Sequence, residues 1–232
     1  MIKACFFDLG DTLIHYKGIP VNWDEHYTDA LMNMENIIRH SLTNANISDA
    51  KKILDKYDTL MNPREIEVSC DDIFSEILTL WNVPLGHLDQ AVDGFFQYFQ
   101  RNCIMFNDTL ETLFALKKKY KLGIFTDVPY GMKPVRVFDE LAKTKILEMM
   151  DIVLTSYDVG YRKPSIECFK AMANSISIEL DEFIYVGNEK KDIYGARNAG
   201  VESILIHRKT TEPPSWGQAI TISTLSDLQT IL

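Results

Sequence analysis

Five polar residues stand where their types and spacing could support a chemical reaction. Asp8, Thr126 and Lys163 could supply, in chain order, a carboxylate nucleophile, a hydroxyl donor and a cation. A carboxylate can attack phosphorus and form an acyl phosphate, which splits one difficult step into two. A hydroxyl and an ammonium group can hold phosphoryl oxygens while negative charge develops on them. Asn188 and Asp192 add the oxygen ligands that magnesium prefers, so the set indicates phosphoryl chemistry.

Four of these residues also have an ordinary structural explanation when each is taken alone. Asp8 could be a turn aspartate, Thr126 a strand-end hydroxyl and Lys163 a solvated surface side chain. Asp192 could be an exposed helix residue. A functional role is favoured by their common position after predicted strands, because ligands of open parallel sheets bind beyond the carboxyl ends of the strands.

Short apolar runs immediately before these residues predict the strands that position them. The runs alternate with helical patterns and predict strands at 2–7, 121–125, 151–154, 183–186 and 203–206. Asp8, Thr126 and Asn188 each follow one of these runs closely. Continuous apolar strands that alternate with helices are typical of a parallel sheet buried on both faces. The sequence therefore predicts an α/β fold with a parallel sheet covered by helices on both faces.

Residues 21–102 show helical spacing without a strand signal, which predicts four consecutive helices. Ser48 is expected to cap the second of these helices and Pro63 to stop it. Ser69, with Asp72 three residues later, predicts the start of the third. The insert interrupts the α/β domain after its first strand. We therefore predict a core domain of residues 1–14 and 103–232 and a helical-bundle cap domain of residues 15–102.

The four polar stretches resemble, in order, the motifs of the haloacid dehalogenase-like superfamily. The stretches are residues 7–13 (FDLGDTL), 124–127 (IFTD), 162–164 (RKP) and 186–196 (VGNEKKDIYGA). Each match is weak by itself. All four occur in order at predicted strand ends, with a helical insert after the first, and together they span almost the whole chain. The resemblance implies a Rossmann-like core with a mobile helical cap.

The resemblance also implies roles for individual residues. Asp8 is expected to attack phosphorus, and Thr126, Asp127 and Lys163 are expected to bind the phosphate-bearing substrate. Lys133 also precedes a proline, but it follows Thr126 too closely to be the lysine of the third motif. The function implied is a magnesium-dependent phosphatase that hydrolyses a small phosphomonoester through an aspartyl-phosphate intermediate.

Two positions depart from the family's pattern near the implied magnesium site, whose ligands would be Asp8, the Gly10 carbonyl, Asn188 and Asp192. Gly10 stands where the family has its second aspartate, usually the general acid, and Asn188 replaces the first acid of the fourth motif. Asp11 lies one position further on, so its side chain should not point the same way. Both changes remove negative charge near the metal. Loss of general acid-base help typically costs about 10²–10⁴ in rate.

Two other functions remain open. A 2-haloacid dehalogenase also lacks the second aspartate and carries Asn in the fourth motif, but it usually has an aromatic residue at the position of Gly10 and needs no metal. A phosphate-binding or regulatory protein without catalysis is favoured by Gly10 and Asn188. The intact Asp8, Thr126 and Lys163 count against that second alternative.

The composition of the chain indicates which classes of partner and which cell compartment to expect. The chain has 232 residues and a net charge of -9, which disfavours nucleic acid and anionic membranes as partners. The four cysteines include no CxxC pair, which indicates reduced thiols. No apolar run is long enough to span a membrane. We therefore expect a cytoplasmic protein. The expected partner is a small phosphorylated metabolite, whose identity the sequence leaves open. His15, Tyr16, Trp23 and His26 lie just past the first motif and are candidates to face the site.

Overall fold

A computed structural model describes residues 1–17, 23–39, 43–99 and 102–232. Parts of the predicted cap, at 18–22, 40–42 and 100–101, lie outside the described residues. The first half of the chain contains β1 (Ala4–Phe7), β2 (Ile14–Lys17), α1 (Tyr27–Ile38), α2 (Asn44–Tyr57), α3 (Cys70–Leu80), α4 (Leu88–Phe99) and β3 (Asn102–Met105). The second half contains α5 (Thr109–Leu116), β4 (Lys121–Thr126), α6 (Pro134–Leu141), α7 (Ile146–Met149), β5 (Ile152–Thr155), α8 (Ser156–Val159), α9 (Ile166–Ser175), β6 (Phe183–Gly187), α10 (Lys190–Ala199), β7 (Glu202–Ile206), β8 (Ile220–Ile222) and α11 (Leu228–Ile231).

A parallel sheet forms the centre of the α/β part. Within the described residues it has six strands in the order β5-β4-β1-β6-β7-β8. β1 pairs in parallel with both β4 and β6, which places Phe7 opposite Ile124 and Val186. All four residues of β1 are buried, as expected for a strand covered on both faces. The predicted α/β fold is confirmed, and the carboxyl ends of β4, β1 and β6 lie side by side.

The chain divides into two compact units. The core unit comprises Met1–Tyr16, Cys103–Asp127 and Pro134–Leu232, and the helical unit comprises Lys17–Asn102 and Val128–Lys133. The helical unit contains α1 to α4 around an aromatic-rich core. None of the helices in the described ranges is long and apolar enough to cross a membrane.

The segment Val128–Lys133 belongs to the helical unit, although the sequence places it in the core domain. Tyr130 is buried in the helical unit's core, where its ring meets that of Phe95 at a centroid distance of 6.1 Å. Gly131 has a φ of 60°, and a Cβ there would lie 1.9 Å from the Val68 carbonyl oxygen. The tight approach explains why this short segment packs with the helices.

The helix starts are partly as predicted. Ser69 caps α3, since its hydroxyl accepts from the Asp72 N–H at 3.2 Å. The prediction that Ser48 caps α2 is wrong, because α2 begins one turn earlier. Thr43 is the cap: its hydroxyl accepts from the Asn46 N–H at 3.3 Å, and the Asn46 side chain accepts from the Thr43 N–H at 3.0 Å. The helix ends at Tyr57, several residues before Pro63.

Candidate active site

Lys163 and Asp8 form the centre of the candidate site. The Lys163 ammonium donates to Asp8 Oδ1 at 2.6 Å and to the Tyr185 hydroxyl at 2.9 Å, and it lies 2.7 Å from Asp192 Oδ1. The side chains of Lys163 and Asp192 are fully buried, and that of Asp8 is 8% exposed. The structure therefore brings together three residues that lie far apart in the sequence and that the sequence analysis had selected.

The backbone around Asp8 is held from two directions. The Asp8 N–H donates to the Val186 carbonyl at 2.9 Å, which joins the end of β1 to β6. Further along the loop, Arg208 donates to the Thr12 carbonyl at 3.0 Å and forms a bidentate pair with Asp108. These bonds fix the turn that follows the attacking residue proposed from the sequence.

The loop that carries Lys163 follows β5 through the short helix α8. Thr155 caps α8 by accepting from the Asp158 N–H at 3.3 Å, and the helix ends at Gly160 with a left-handed φ of 78°. The next residues lead to Pro164, which directly precedes the N-cap of α9. Proline at this place limits the backbone freedom of Lys163.

The charges at this centre are unbalanced, with one cation between two carboxylates. Burial raises the pKa of Asp8 to about 7, Asp192 and Glu189 add to this effect, and Lys163 opposes it. Burial alone would lower the pKa of Lys163, but Asp192 and Asp8 raise it well above its ordinary value. Lys163 therefore stays charged, and the ionised cluster would carry a net negative charge that a divalent cation can offset.

The residues near Asp8 fit a magnesium ion through three oxygens. One terminal atom of the Asn188 amide lies 3.1 Å from the Gly10 carbonyl oxygen and 3.3 Å from Asp8 Oδ2. With nitrogen at that position the amide donates to both oxygens; with oxygen there, three acceptors converge. Octahedral magnesium with oxygens at about 2.1 Å has neighbouring ligands on the order of 3 Å apart, and both distances from the Asn188 atom are of that order.

Asp192, also expected as a metal ligand, is placed differently. Its Oδ1 faces Lys163 and its Oδ2 accepts from the Glu189 N–H at 2.9 Å. No group of three or more His, Cys, Asp or Glu side chains in the described ranges is arranged to hold a metal. The candidate ligand set is thus one carboxylate, one amide and one backbone carbonyl, with Asp192 acting on Lys163.

We expect Asn188→Asp to tighten magnesium binding at least tenfold, because it adds a formal negative charge to the ligand set. Asn198→Asp is the matched control, since Asn198 is exposed on α10 and adds the same charge away from these oxygens. Calorimetric titration of both variants with magnesium measures the effect. Equal affinities for the wild type and Asn188→Asp would show that Asn188 is not a ligand.

Thr126 and Asp127 lie at the end of β4, on the same edge of the sheet as Asp8. Thr126 is 8% exposed, and among the described residues its hydroxyl makes a single long contact, of 3.5 Å with the Asp127 carbonyl, so it remains available to a ligand. The Asp127 carboxylate, expected to bind substrate, instead accepts from the Lys163 N–H at 3.1 Å and lies 3.1 Å from the Lys191 ammonium.

The turn at Gly10 has room for a side chain. The left-handed residue here is Asp11, with a φ of 53°, rather than Gly10. A Cβ on Gly10 would meet no atom within 4 Å. Asp11 itself is exposed. An aspartate at position 10 is therefore compatible with the local backbone.

The other residues just past the first motif have structural contacts. His15 packs on Phe106 with ring centroids 4.9 Å apart, and the Tyr16 hydroxyl donates to Glu140 at 2.8 Å. In the helical unit, Trp23 stacks on Phe99 at 3.9 Å. His26 lies 3.0 Å from the Tyr98 hydroxyl through Nδ1.

Sequence reasoning missed three residues that support the site. Tyr185 links Lys163 to the sheet, because its hydroxyl donates to the Phe125 carbonyl at 2.9 Å. A tyrosine in a fully buried strand needs such a partner, and that signal was present in the sequence. Gly187 leaves space for Asp192, whose Oδ2 would lie 2.4 Å from a Cβ at position 187. Thr12 is fully buried, and its hydroxyl oxygen lies 3.2 Å from Asn188 Oδ1.

A family model and individual relatives assign this chain to the same family. A family model described as haloacid dehalogenase-like hydrolase matches residues 7–206. A glyceraldehyde 3-phosphate phosphatase from Methanothermobacter thermautotrophicus is 34% identical, across 91% of this chain and 88% of its own. A protein of the same name from Pyrococcus abyssi is 24% identical, across 88% of this chain and 81% of its own.

Solved structures show the same fold with different reactions. A HAD phosphatase from Thermococcus onnurineus aligns with a TM-score of 0.64 at 22% identity, over 99% of this chain and 97% of its own. A 2-haloacid dehalogenase from Pseudomonas syringae aligns with a TM-score of 0.68 at 18% identity, over 100% of this chain and 98% of its own. At these identities the likeness establishes the fold and does not select between the two reactions.

Proposed function

The chain belongs to the haloacid dehalogenase-like hydrolase family, and from this premise we propose that it is a magnesium-dependent phosphatase acting on a small phosphomonoester. The observation that carries the proposal is the buried contact of 2.6 Å between the Lys163 ammonium and the Asp8 carboxylate at the end of β1. A nucleophile paired with a cation at this edge suits an anionic phosphoryl group. The phosphatase relatives, which align over most of the chain, support the same reaction.

In this proposal Asp8 attacks phosphorus. An oxygen of its carboxylate forms a bond to phosphorus while the bond to the ester oxygen breaks, and the departing oxygen takes a proton from water. A second water then attacks phosphorus while the bond between phosphorus and the Asp8 oxygen breaks, and its proton passes to the hydroxide that the first water left, so that orthophosphate is released and the Asp8 carboxylate is restored. Lys163 and the Thr126 hydroxyl hold the phosphoryl oxygens during both steps.

Magnesium would be held by Asp8, the Gly10 carbonyl and Asn188, where it would supply positive charge beside the phosphoryl oxygens. Asp192 would keep the Lys163 ammonium charged and in place, since it lies 2.7 Å away. This division of roles follows from the contacts each carboxylate makes.

The first compound to test as substrate is glyceraldehyde 3-phosphate, since two relatives carry that activity in their names. The net charge of -9 disfavours nucleic acid and anionic membranes as partners. The four cysteines are free thiols, which supports a reducing location such as the cytoplasm.

The assay for this function is release of phosphate from an aryl phosphate and from glyceraldehyde 3-phosphate, with magnesium and with a chelator. We expect turnover only with magnesium, and competitive inhibition by orthophosphate. Orthophosphate binding without turnover of any ester would instead favour the non-catalytic alternative. Halide release from a 2-haloacid without metal would favour the dehalogenase.

We expect Gly10→Asp to raise the turnover of alkyl phosphates by about tenfold or more, and that of aryl phosphates by less. Alkyl leaving oxygens need a proton as they depart, and Gly10 cannot supply one, whereas aspartate can. The measurement is kcat/KM for phosphomonoesters that span leaving-group pKa, on the wild type and the variant. A shallow dependence in the wild type would show that another residue already acts as the acid. Asp11→Asn serves as the control for charge in the same turn.

A further inference from the structure

We propose that Asp127 is a positioning residue, which places the Lys163 ammonium against Asp8 by anchoring the backbone of Lys163. The inference rests on the proposed function, in which Lys163 holds the phosphoryl group. It assigns to the Asp127 side chain a role other than contact with substrate.

The Asp127 carboxylate is turned into the protein. Its side chain is 4% exposed, Oδ1 accepts from the Lys163 N–H at 3.1 Å, and Oδ2 lies 3.1 Å from the Lys191 ammonium. Lys191 in turn lies 2.9 Å from Glu189. Although burial would raise the pKa of Asp127, Lys191, Lys163 and Arg162 lower it, so the carboxylate remains ionised. An ionised carboxylate forms a stronger hydrogen bond with a backbone N–H than a neutral acceptor does.

Lys163 is consequently fixed at both ends. Its backbone N–H is held by Asp127 at the end of β4, and its ammonium is held by Asp8 directly after β1, by Tyr185 within β6 and by Asp192 in α10. A lysine side chain has four rotatable bonds, so its charge alone does not set where its backbone lies. The Asp127 bond supplies that second constraint. Displacement of a positioned group by about 1 Å can cost up to about 100-fold in rate.

An anionic side chain that touched the phosphoryl group would repel it. A carboxylate in this position is therefore useful only when it faces the protein, and its pairing with Lys191 keeps its charge balanced there. The exposed pair of Lys170 and Glu167, 2.7 Å apart on α9, offers a matched comparison with no link to the site.

The first test measures the anchor itself. Hydrogen exchange at the Lys163 backbone N–H should be slow in the wild type and at least tenfold faster in Asp127→Ala. Glu167→Gln should leave it unchanged. An unchanged exchange rate in Asp127→Ala would overturn the proposal, whether or not the protein is a phosphatase.

The second test asks whether Asp127 acts through Lys163. Orthophosphate affinity is measured by calorimetry for Asp127→Ala in two backgrounds: the wild type, and a chain in which Lys163→Met is combined with Asp192→Asn so that the fully buried Asp192 carboxylate is not left without its cation. We expect about tenfold weaker binding in the first background and less than twofold change in the second. Equal weakening in both, or tighter binding in both, would overturn the proposal, since Asp127 would then act on the anion directly.

If Asp127→Ala does not fold, Asp127→Asn is used, for which the same pattern with a smaller effect is expected. Turnover of an aryl phosphate by the wild type is measured in parallel. Its absence would contradict the proposed function, and the exchange experiment would still decide the role of Asp127.

Discussion

Asp8→Asn is expected to lower phosphate ester hydrolysis by at least 10⁴-fold, to background. Asparagine keeps the size of the side chain but cannot attack phosphorus, and its neutral amide weakens the set of magnesium ligands. The fold should survive, because Asn can still accept from the Lys163 ammonium, which lies 2.6 Å from Asp8 Oδ1. The measurement is kcat/KM for an aryl phosphate at saturating magnesium.

Asp11→Asn is the matched control for this experiment. It is the same change three residues later, on an exposed side chain, and asparagine tolerates the left-handed φ of 53° there. We expect it to retain activity within about twofold. Activity of Asp8→Asn within tenfold of the wild type would rule out Asp8 as the attacking residue.

Lys163→Met is expected to reduce kcat/KM by about 10²–10³-fold, a size typical of removing one group that stabilises developing charge. It should also reduce stability, since Asp192 is fully buried and would lose the cation 2.7 Å away. Removal of one partner of a buried ion pair typically costs about 3–5 kcal/mol. Activity and unfolding are therefore measured together.

Lys163→Met with Asp192→Asn separates the two effects. The second change removes one of the two carboxylates that lose their cation, Asp8 being the other, so the free energy of unfolding should recover part of the way toward that of the wild type. Activity should remain low, because no cation faces the phosphoryl group. Recovery of activity together with stability would mean that Lys163 serves only to stabilise the fold.

The positions of the strand-end residues followed from the sequence for a simple reason. A strand buried on both faces is a continuous apolar run, so its end and the first polar residue after it are visible without a structure. Asp8 follows β1 directly, as predicted, whereas Thr126, predicted to follow its strand, is the last residue of β4. Parallel pairing then brings these strand ends to one edge, and the structure shows β1 between β4 and β6.

Side-chain direction could not be predicted in the same way. Asp127 is predicted to bind substrate, and in the structure its carboxylate accepts from the Lys163 backbone N–H. Asp192 is predicted to bind metal, and in the structure its Oδ1 faces Lys163. Both outcomes depend on contacts between loops that are distant in sequence, and residue spacing along one loop carries no information about them.

In the helical unit, two residues could each have capped the same helix. Ser48 and Thr43 are both acceptable caps, and the start of α2 was decided by Asn46, which completes a reciprocal bond with Thr43. The segment Val128–Lys133 packs with the helices because Gly131 allows a backbone approach that any side chain would block. Neither result is visible from hydrophobic spacing.

Phosphorylation of Asp8 during turnover is tested most directly by a single-turnover experiment. Enzyme in excess is mixed with an aryl phosphate that carries labelled phosphorus, quenched in acid at short times, and digested so that the label can be located. We expect label to appear transiently on the peptide that contains Asp8 and then to pass to orthophosphate, and to be absent from Asp8→Asn. Release of labelled orthophosphate by Asp8→Asn at the rate of the wild type would contradict the mechanism.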